Sequence, residues 1–300
     1  MKILIAGGSG FVGRALRPQL KAAGHEVVVL VRRAARTPDE VSWRPEAGEL
    51  AAGALEGVDA VINLAGENIA GGRWTAARRE RILRSRVDAT RTLVVAIGKL
   101  SRRPRVFLSA SAVGYYGDRG DEILPEQSNI GHGFLPEVCL AWETHAEGAA
   151  RNGVRTVLLR FGMVLGREGG ALAKQLPLFK LGLGGPLGDG QQWVSWIAMD
   201  DLVAAILHAL QDETMRGAVN IVAPNPVRNT DFTRILGAVL RRPAKLPAPP
   251  WALHLAFGDM ASEVLLGSTR AEPRVLSRAG FKFLHPELEP ALRSILLARP

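Results

Sequence analysis

The chain of 300 residues holds one cysteine, Cys139. No intramolecular disulfide can form, so nothing argues for an oxidising compartment. Tyrosine is nearly as scarce. The only two, Tyr115 and Tyr116, are adjacent, which leaves little for a platform on which nucleic-acid bases stack. No window approaches the roughly 18 consecutive apolar residues that a membrane span requires. The apolar run Met1–Ala6 leads straight into glycines without a small-residue cleavage pattern, so no signal peptide is expected. The six histidines stand singly, with no H-E-x-x-H and no cysteine cluster, and no metal site is expected. These absences together lead to the expectation of a soluble, cytoplasmic protein with no nucleic-acid partner and no membrane partner.

The remaining composition is that of a globular protein, with 47% apolar and 22% charged residues, enough to bury a large core. Net charge is +9, from 38 Lys and Arg against 29 Asp and Glu. The densest basic stretch, Arg73 to Arg91, falls on a predicted helix. It reads as a solvated face, with a phosphate-bearing ligand as the sharper alternative.

Along the first 160 residues, apolar runs and helical spacings alternate. Strands are predicted at Lys2–Ala6, Glu26–Val31, Asp59–Leu64, Pro104–Ser109 and Arg155–Arg160. Helices are predicted at Phe11–Ala23, Thr75–Leu100 and Phe134–Asn152. Strands separated by helices imply a parallel sheet covered on both faces. The fold class is therefore α/β, a Rossmann doubly wound parallel sheet with a smaller, mostly helical C-terminal subdomain on the substrate side. The expected division is 1–222 for the Rossmann domain, with a loop insertion at 162–198, and 223–300 for the small domain. A proline-rich linker occupies 243–250. Helices are also expected near Ala171–Leu181 and Asp200–Leu210, and a strand at Ala218–Val222.

Chemistry enters at Gly7-Gly8-Ser9-Gly10-Phe11-Val12-Gly13, a G-x-x-G-x-x-G between a strand and a helix. Gly7 permits the tight turn and Gly10 lets backbone approach a pyrophosphate. Gly13 allows close packing of helix on sheet, and the helix N-terminus supplies N–H groups to the phosphates. An NAD site usually places a carboxylate about 20 positions after the loop, on the ribose 2′-hydroxyl. Here the second strand ends at Val31-Arg32-Arg33. A guanidinium suits a 2′-phosphate, so NADP(H) is the expected cofactor.

With this loop, Asn63-Leu64-Ala65-Gly66 and Ser109-Ala110-Ser111, the chain resembles the extended short-chain dehydrogenases/reductases, which include nucleotide-sugar epimerases. Further motifs are Asn63–Ile69, Arg73-Trp74, Ser85-Arg86, Gly114-Tyr115-Tyr116-Gly117 and Leu181–Pro186. They are similar to an atypical epimerase-family branch with a C-terminal domain of unknown function. The resemblance implies cofactor contacts from Leu64, Ala65 and Gly66 beside the adenosine, from Arg86 near phosphate or ribose, and from Val164 near the nicotinamide.

The resemblance also exposes departures. The superfamily moves a proton with the Tyr of a Y-x-x-x-K pair. Aligning on Glu143 puts Leu135 and Cys139 at those positions, and neither can do that work. Cys139 reads as a packed residue and Glu143 as a surface or capping carboxylate. Ser111 matches the family's hydroxyl position, and Tyr115 or Tyr116 is the candidate substitute acid, with packing as the alternative. After Gly188–Gln192 the arginine expected for a sugar-nucleotide diphosphate is absent. Trp193 and Trp196 stand nearby instead, so the substrate is a small molecule that is not obviously a nucleotide sugar. Asp200 and Asp201 read as helix N-caps. The expected function is an NADP(H)-binding oxidoreductase or epimerase-like enzyme, with a monomer and an oligomer both left open. The alternative is a non-catalytic NADP(H) sensor.

Overall fold

The computed structural model describes residues 1–297. Its centre is an eight-stranded sheet, entered through β1 (Lys2–Ala6), α1 (Phe11–Ala22), β2 (Glu26–Val31), β3 (Glu40–Arg44) and β4 (Glu49–Leu50). The chain then crosses to β5 (Ala60–Asn63), α2 (Ala76–Gly98), β6 (Val106–Ala112), the short β7 (Ile123–Leu124), α3 (Phe134–Arg151) and β8 (Arg155–Phe161). Next come β9 (Met163–Leu165), α4 (Gly170–Lys180), β10 (Trp193–Val194), β11 (Trp196–Ala198), α5 (Met199–Gln211) and β12 (Gly217–Ile221). The remainder is β13 (Val227–Arg228), α6 (Asn229–Leu240), α7 (Pro250–Phe257), β14 (Arg270–Ala271), α8 (Arg274–Arg278) and α9 (Leu288–Leu297).

Strand order in the large sheet is β12-β8-β6-β5-β1-β2-β3-β4. Every pair is parallel except the terminal β3–β4 hairpin. The pleat sorts β1 cleanly: Ile3 and Ile5 enter a core beneath α1 and α5, while Leu4 and Ala6 enter one beneath α2 and α3. Both faces are covered, which is why β2 reads as the unbroken run Val-Val-Val-Leu-Val. Strand order reverses at β1, between β5 and β2, and a crevice opens there at the carboxyl ends of the strands.

The segment after β8 and the C-terminal segment share a third core. Leu172, Leu176 and Phe179 of α4 and Trp196 of β11 pack with Phe232 and Leu236 of α6 and Leu292 of α9. The carboxylates at the start of α5 differ from the sequence expectation. The N-cap is Ala198 with no side-chain cap. Buried Asp201 instead accepts the backbone N–H groups of Leu284 (2.6 Å) and His285 (2.9 Å), fixing the chain before α9. A short π-helical turn at Ala261–Leu265 does something similar for α3. Its Glu263 carboxylate accepts from Phe134 N (3.0 Å) and Leu135 N (2.7 Å), replacing the cap that Gly133 cannot provide. Part of the Arg73–Arg91 stretch is a solvated face, with Arg84 and Arg91 exposed, whereas Arg78 is largely enclosed. Arg84 meets Glu80, Arg91 meets Asp88 and Arg78 meets Glu67.

Candidate functional site

The glycine loop sits at the strand-order reversal. Gly7 has φ +79°, and a Cβ there would lie 2.6 Å from the backbone of Leu64. That close approach brings the turn after β5 against the loop after β1. Asn63 shapes the turn: its buried side chain accepts from Ala65 N (3.2 Å) and donates to Thr90 Oγ1 (2.8 Å). Gly13 packs on the loop so tightly that a Cβ would meet Gly7 O at 2.5 Å. Gly10 is exposed and caps α1 without a side chain, and no acid occupies the first helical turn. The N–H groups there are presented to an anion with nothing competing for them. Val12 packs against the core under α1. Phe11 lies against Gly166, Gly169 and Gly170, where any Cβ would strike its ring. This pins the loop that follows β9, and hence Val164, beside the glycine loop.

At the end of β2, Val31 is buried and Arg32 and Arg33 are exposed. The structure separates the two arginines. Arg33 is held by Glu40 through hydrogen bonds of 2.6 and 2.8 Å. Among the described residues Arg32 has no hydrogen-bond or ion-pair partner, and both arginines line a cavity of about 730 Å³ with Ser42 and Arg44. Arg86 lies under Gly66, where a Cβ would come within 3.1 Å of its Cζ. It donates to Ile82 O and Glu67 O and stacks on Trp142. Burial holds its pKa below the ordinary guanidinium value, against the nearby Cys139 and Glu67. The glycine loop, the turn after β5 and the end of β2 follow three neighbouring parallel strands, and their chemistry fits a dinucleotide: glycine backbone, an uncapped helix N-terminus and the Arg32 cation.

The catalytic candidates fare differently from one another. Ser111, at the carboxyl end of β6, is 2% exposed and donates its hydroxyl to Glu143 Oε1 at 2.6 Å. Arg160 completes that carboxylate's coordination, with Nε to Oε1 at 2.8 Å and Nη2 to Oε2 at 2.7 Å. Its Nη1 donates to the Tyr116 hydroxyl (3.0 Å), which in turn donates to Asn220 Oδ1 (2.7 Å). Tyr116 is wholly buried, and burial raises its phenol above the ordinary value, against the opposing pull of Arg160. A phenol without solvent or cleft access, whose hydrogen is already donated, serves packing. Burial alone would depress the Arg160 guanidinium, but hydrogen bonds and charge from Glu143 reverse this and hold it above its usual value. Glu143, expected at the surface, is thus the centre of a buried network. Arg160 within the apolar strand Thr-Val-Leu-Leu-Arg-Phe is the signal in the sequence that marks it.

Tyr115 is the other tyrosine and lies differently. Its ring is half-buried and stacked on Arg160, with Cζ 3.5 Å from the ring centroid. It meets Tyr116 edge-on. Among the described residues, its hydroxyl makes no hydrogen bond. Leu135 packs against Gly114. Buried Cys139 lies near Ala112 O, and burial followed by Glu143 pushes its thiol up to about 12. A neutral packed thiol follows, and iodoacetamide at pH 8 should alkylate Cys139 at least about a hundredfold more slowly in the native protein than in urea. Comparable rates in the two states would contradict the packing.

The tryptophans also separate. Trp196 is wholly buried, with its indole N–H on Asn225 O. Trp193 lies between the guanidinium groups of Arg228 and Arg270, each 4.3 Å from the ring, and donates to Asp121. The sequence neighbours of Trp193 lack an arginine, but β13 and β14 bring two to it. That contact could not be read from spacing.

The chain is similar to known proteins along nearly its whole length. The model for the NAD dependent epimerase/dehydratase family matches residues 3–222, and a domain of unknown function, DUF1731, matches 248–295. An epimerase family protein of Mycobacterium tuberculosis is 43% identical over 97% of this chain and 96% of its own length. The human epimerase family protein SDR39U1 is 36% identical over 99% of this chain and all of its own. The crystal structure of human SDR39U1 (isoform 2) with NADPH matches with a TM-score of 0.90 at 35% identity, covering 98% of this chain and 99% of that one. A UDP-galactose 4-epimerase shares the fold, with a TM-score of 0.73 at 23% identity over 98% of this chain and 97% of its own.

Proposed function

The chain belongs to the NAD-dependent epimerase/dehydratase family, and from that premise we propose that it is an NADP(H)-dependent oxidoreductase acting on a small molecule. The observation that carries the reading is the crevice at the strand-order reversal. It sets the uncapped N-terminus of α1 at Gly10 beside Arg32 at the end of the neighbouring β2, with the half-buried Tyr115 following β6 at the same edge of the sheet. The human relative crystallised with NADPH supports the choice of cofactor.

Gly7, Gly10, Phe11, Val12 and Gly13 would hold the pyrophosphate, Arg32 the 2′-phosphate, and Leu64, Ala65 and Gly66 the adenosine side. Val164 would border the nicotinamide. Bound NADPH supplies a hydride. The protein must supply a proton, and Leu135 and Cys139 have none to give. Tyr115 takes that role, with the Arg160 guanidinium holding its ring in place from one face. Ser111 and Glu143 act as positioning residues, holding Arg160 in place beneath the ring.

Transfer from NADPH deuterated on either face of the nicotinamide, in a small-metabolite extract read by mass spectrometry, tests the reading. Label from one face in one product is the expected result. Full NADPH binding with no label from either face would replace the reductase by a non-catalytic NADP(H) sensor.

A further inference from the structure

Two segments distant in sequence lie along each other beside the C-terminal unit. Arg242 Nε donates to Lys180 O at 3.0 Å and Leu246 N to Gly184 O at 3.2 Å. Leu187 bridges to Ala248 just before α7 begins. Six large apolar side chains stand exposed on this pair: Leu178, Leu181, Leu183, Leu246, Trp251 and Leu255. Leu181 is 72% exposed, and Trp251 and Leu255 are 70% exposed. Trp251 and Leu255 are four residues apart on α7 and share a face. Isolated exposed leucines need no explanation, but six large apolar side chains on two segments that lie along each other, a tryptophan among them, mark a contact surface.

The charges within these two segments are of one sign. From Gly169 to Gly188 and from Phe232 to Gly258 there is no Asp or Glu, while Lys174, Lys180, Arg234, Arg241, Arg242 and Lys245 are present. The rest of the chain mixes the signs almost evenly. Arg234 is paired with Asp231 and Lys174 reaches Ala70 O. The other four lie in the same two segments as the leucines, which hold no carboxylate.

We propose that this face docks on an anionic lipid bilayer, with Trp251, Leu255 and the leucines entering the headgroup boundary and the four cations meeting lipid phosphates. Apolar residues set among basic ones, with a tryptophan at the boundary, fit a surface that is charged outside and apolar beneath. A second copy fits less well, because a two-fold contact would set each copy's cations against the other's. A nucleic acid would use the cations but leave the leucines in water. The absence of a spanning helix among the described residues, like the absence of a spanning run in the sequence, does not bear on a face that lies within the interface. The proposal is independent of the reductase reading.

The test is co-sedimentation of the full chain, loaded with NADPH, with vesicles of phosphatidylcholine alone or in equal parts with phosphatidylglycerol. Binding to the anionic vesicles should be at least about tenfold tighter and should weaken with salt. Trp251→Ser with Leu255→Ser should abolish sedimentation while the far-ultraviolet spectrum and NADPH affinity stay unchanged. Lys180→Glu with Lys245→Glu should remove the preference for phosphatidylglycerol. Equal binding to both vesicles, or anionic binding indifferent to the Trp251 and Leu255 substitutions, would overturn the proposal. A doubled solution mass without vesicle binding would assign the face to self-association instead. Tighter binding to single-stranded RNA than to the vesicles would assign it to nucleic acid.

Discussion

Replacing Glu143 with alanine is expected to lower stability by about 3–5 kcal/mol, because it leaves a buried guanidinium without its partner. Glu143 is 6% exposed and Arg160 is 4% exposed, and three hydrogen bonds converge on the carboxylate. Removing it also strands the Ser111 hydroxyl, at the further cost of a buried unsatisfied donor. The midpoint of chemical denaturation reads the loss directly. The double substitution Glu143→Leu, Arg160→Met should recover part of it, since the largest penalty is the unpaired charge. Recovery should stop short of wild type, because Ser111 still lacks its acceptor and the Tyr116 oxygen loses the donor Arg160. A Glu143→Ala loss below about 1 kcal/mol would mean that the network is not closed to water as described.

Arg32→Glu is expected to weaken NADPH binding by about 10- to 100-fold, equivalent to one charge-assisted hydrogen bond lost. NADH binding should change far less, because that cofactor has no 2′-phosphate. Arg33→Ala should have the smaller effect on NADPH, because its guanidinium is committed to Glu40. That substitution frees a carboxylate whose pKa the Arg33 hydrogen bonds hold down at about 2. Titration of each variant with both cofactors separates these outcomes. Equal loss of NADPH and NADH affinity in Arg32→Glu would place the residue outside the 2′-phosphate site.

The sequence was most legible where burial is two-sided. The limits of β1 and β2 follow from apolar runs that have no polar face to blur them. The strand β3 was not anticipated, because only Trp43 of Glu40–Arg44 is buried and the segment looks like loop. No element was expected over α6, whose apolar stripe packs on α4 and α9 far away in sequence. The cofactor crevice was legible because glycine requirements are local: Gly7 and Gly13 answer to atoms within their own loop or the neighbouring turn. The catalytic side was less so. Tyr115 and Tyr116 are identical in the sequence, and only the partner strands decide which is enclosed. Asn220 and Arg160 enclose Tyr116, while Arg160 supports Tyr115 from one face only. Spacing cannot reveal a network whose members are 17 to 104 residues apart.

Turnover of Tyr115→Phe beside Tyr116→Phe, on the substrate found with deuterated NADPH, tests the central claim most directly. The account predicts that Tyr115→Phe binds NADPH as wild type does and loses hydride transfer by at least about a hundredfold, within the range for a positioned acid. Tyr116→Phe should instead lose stability and keep transfer in its folded fraction. Undiminished transfer in Tyr115→Phe, with loss in folded Tyr116→Phe, would contradict it.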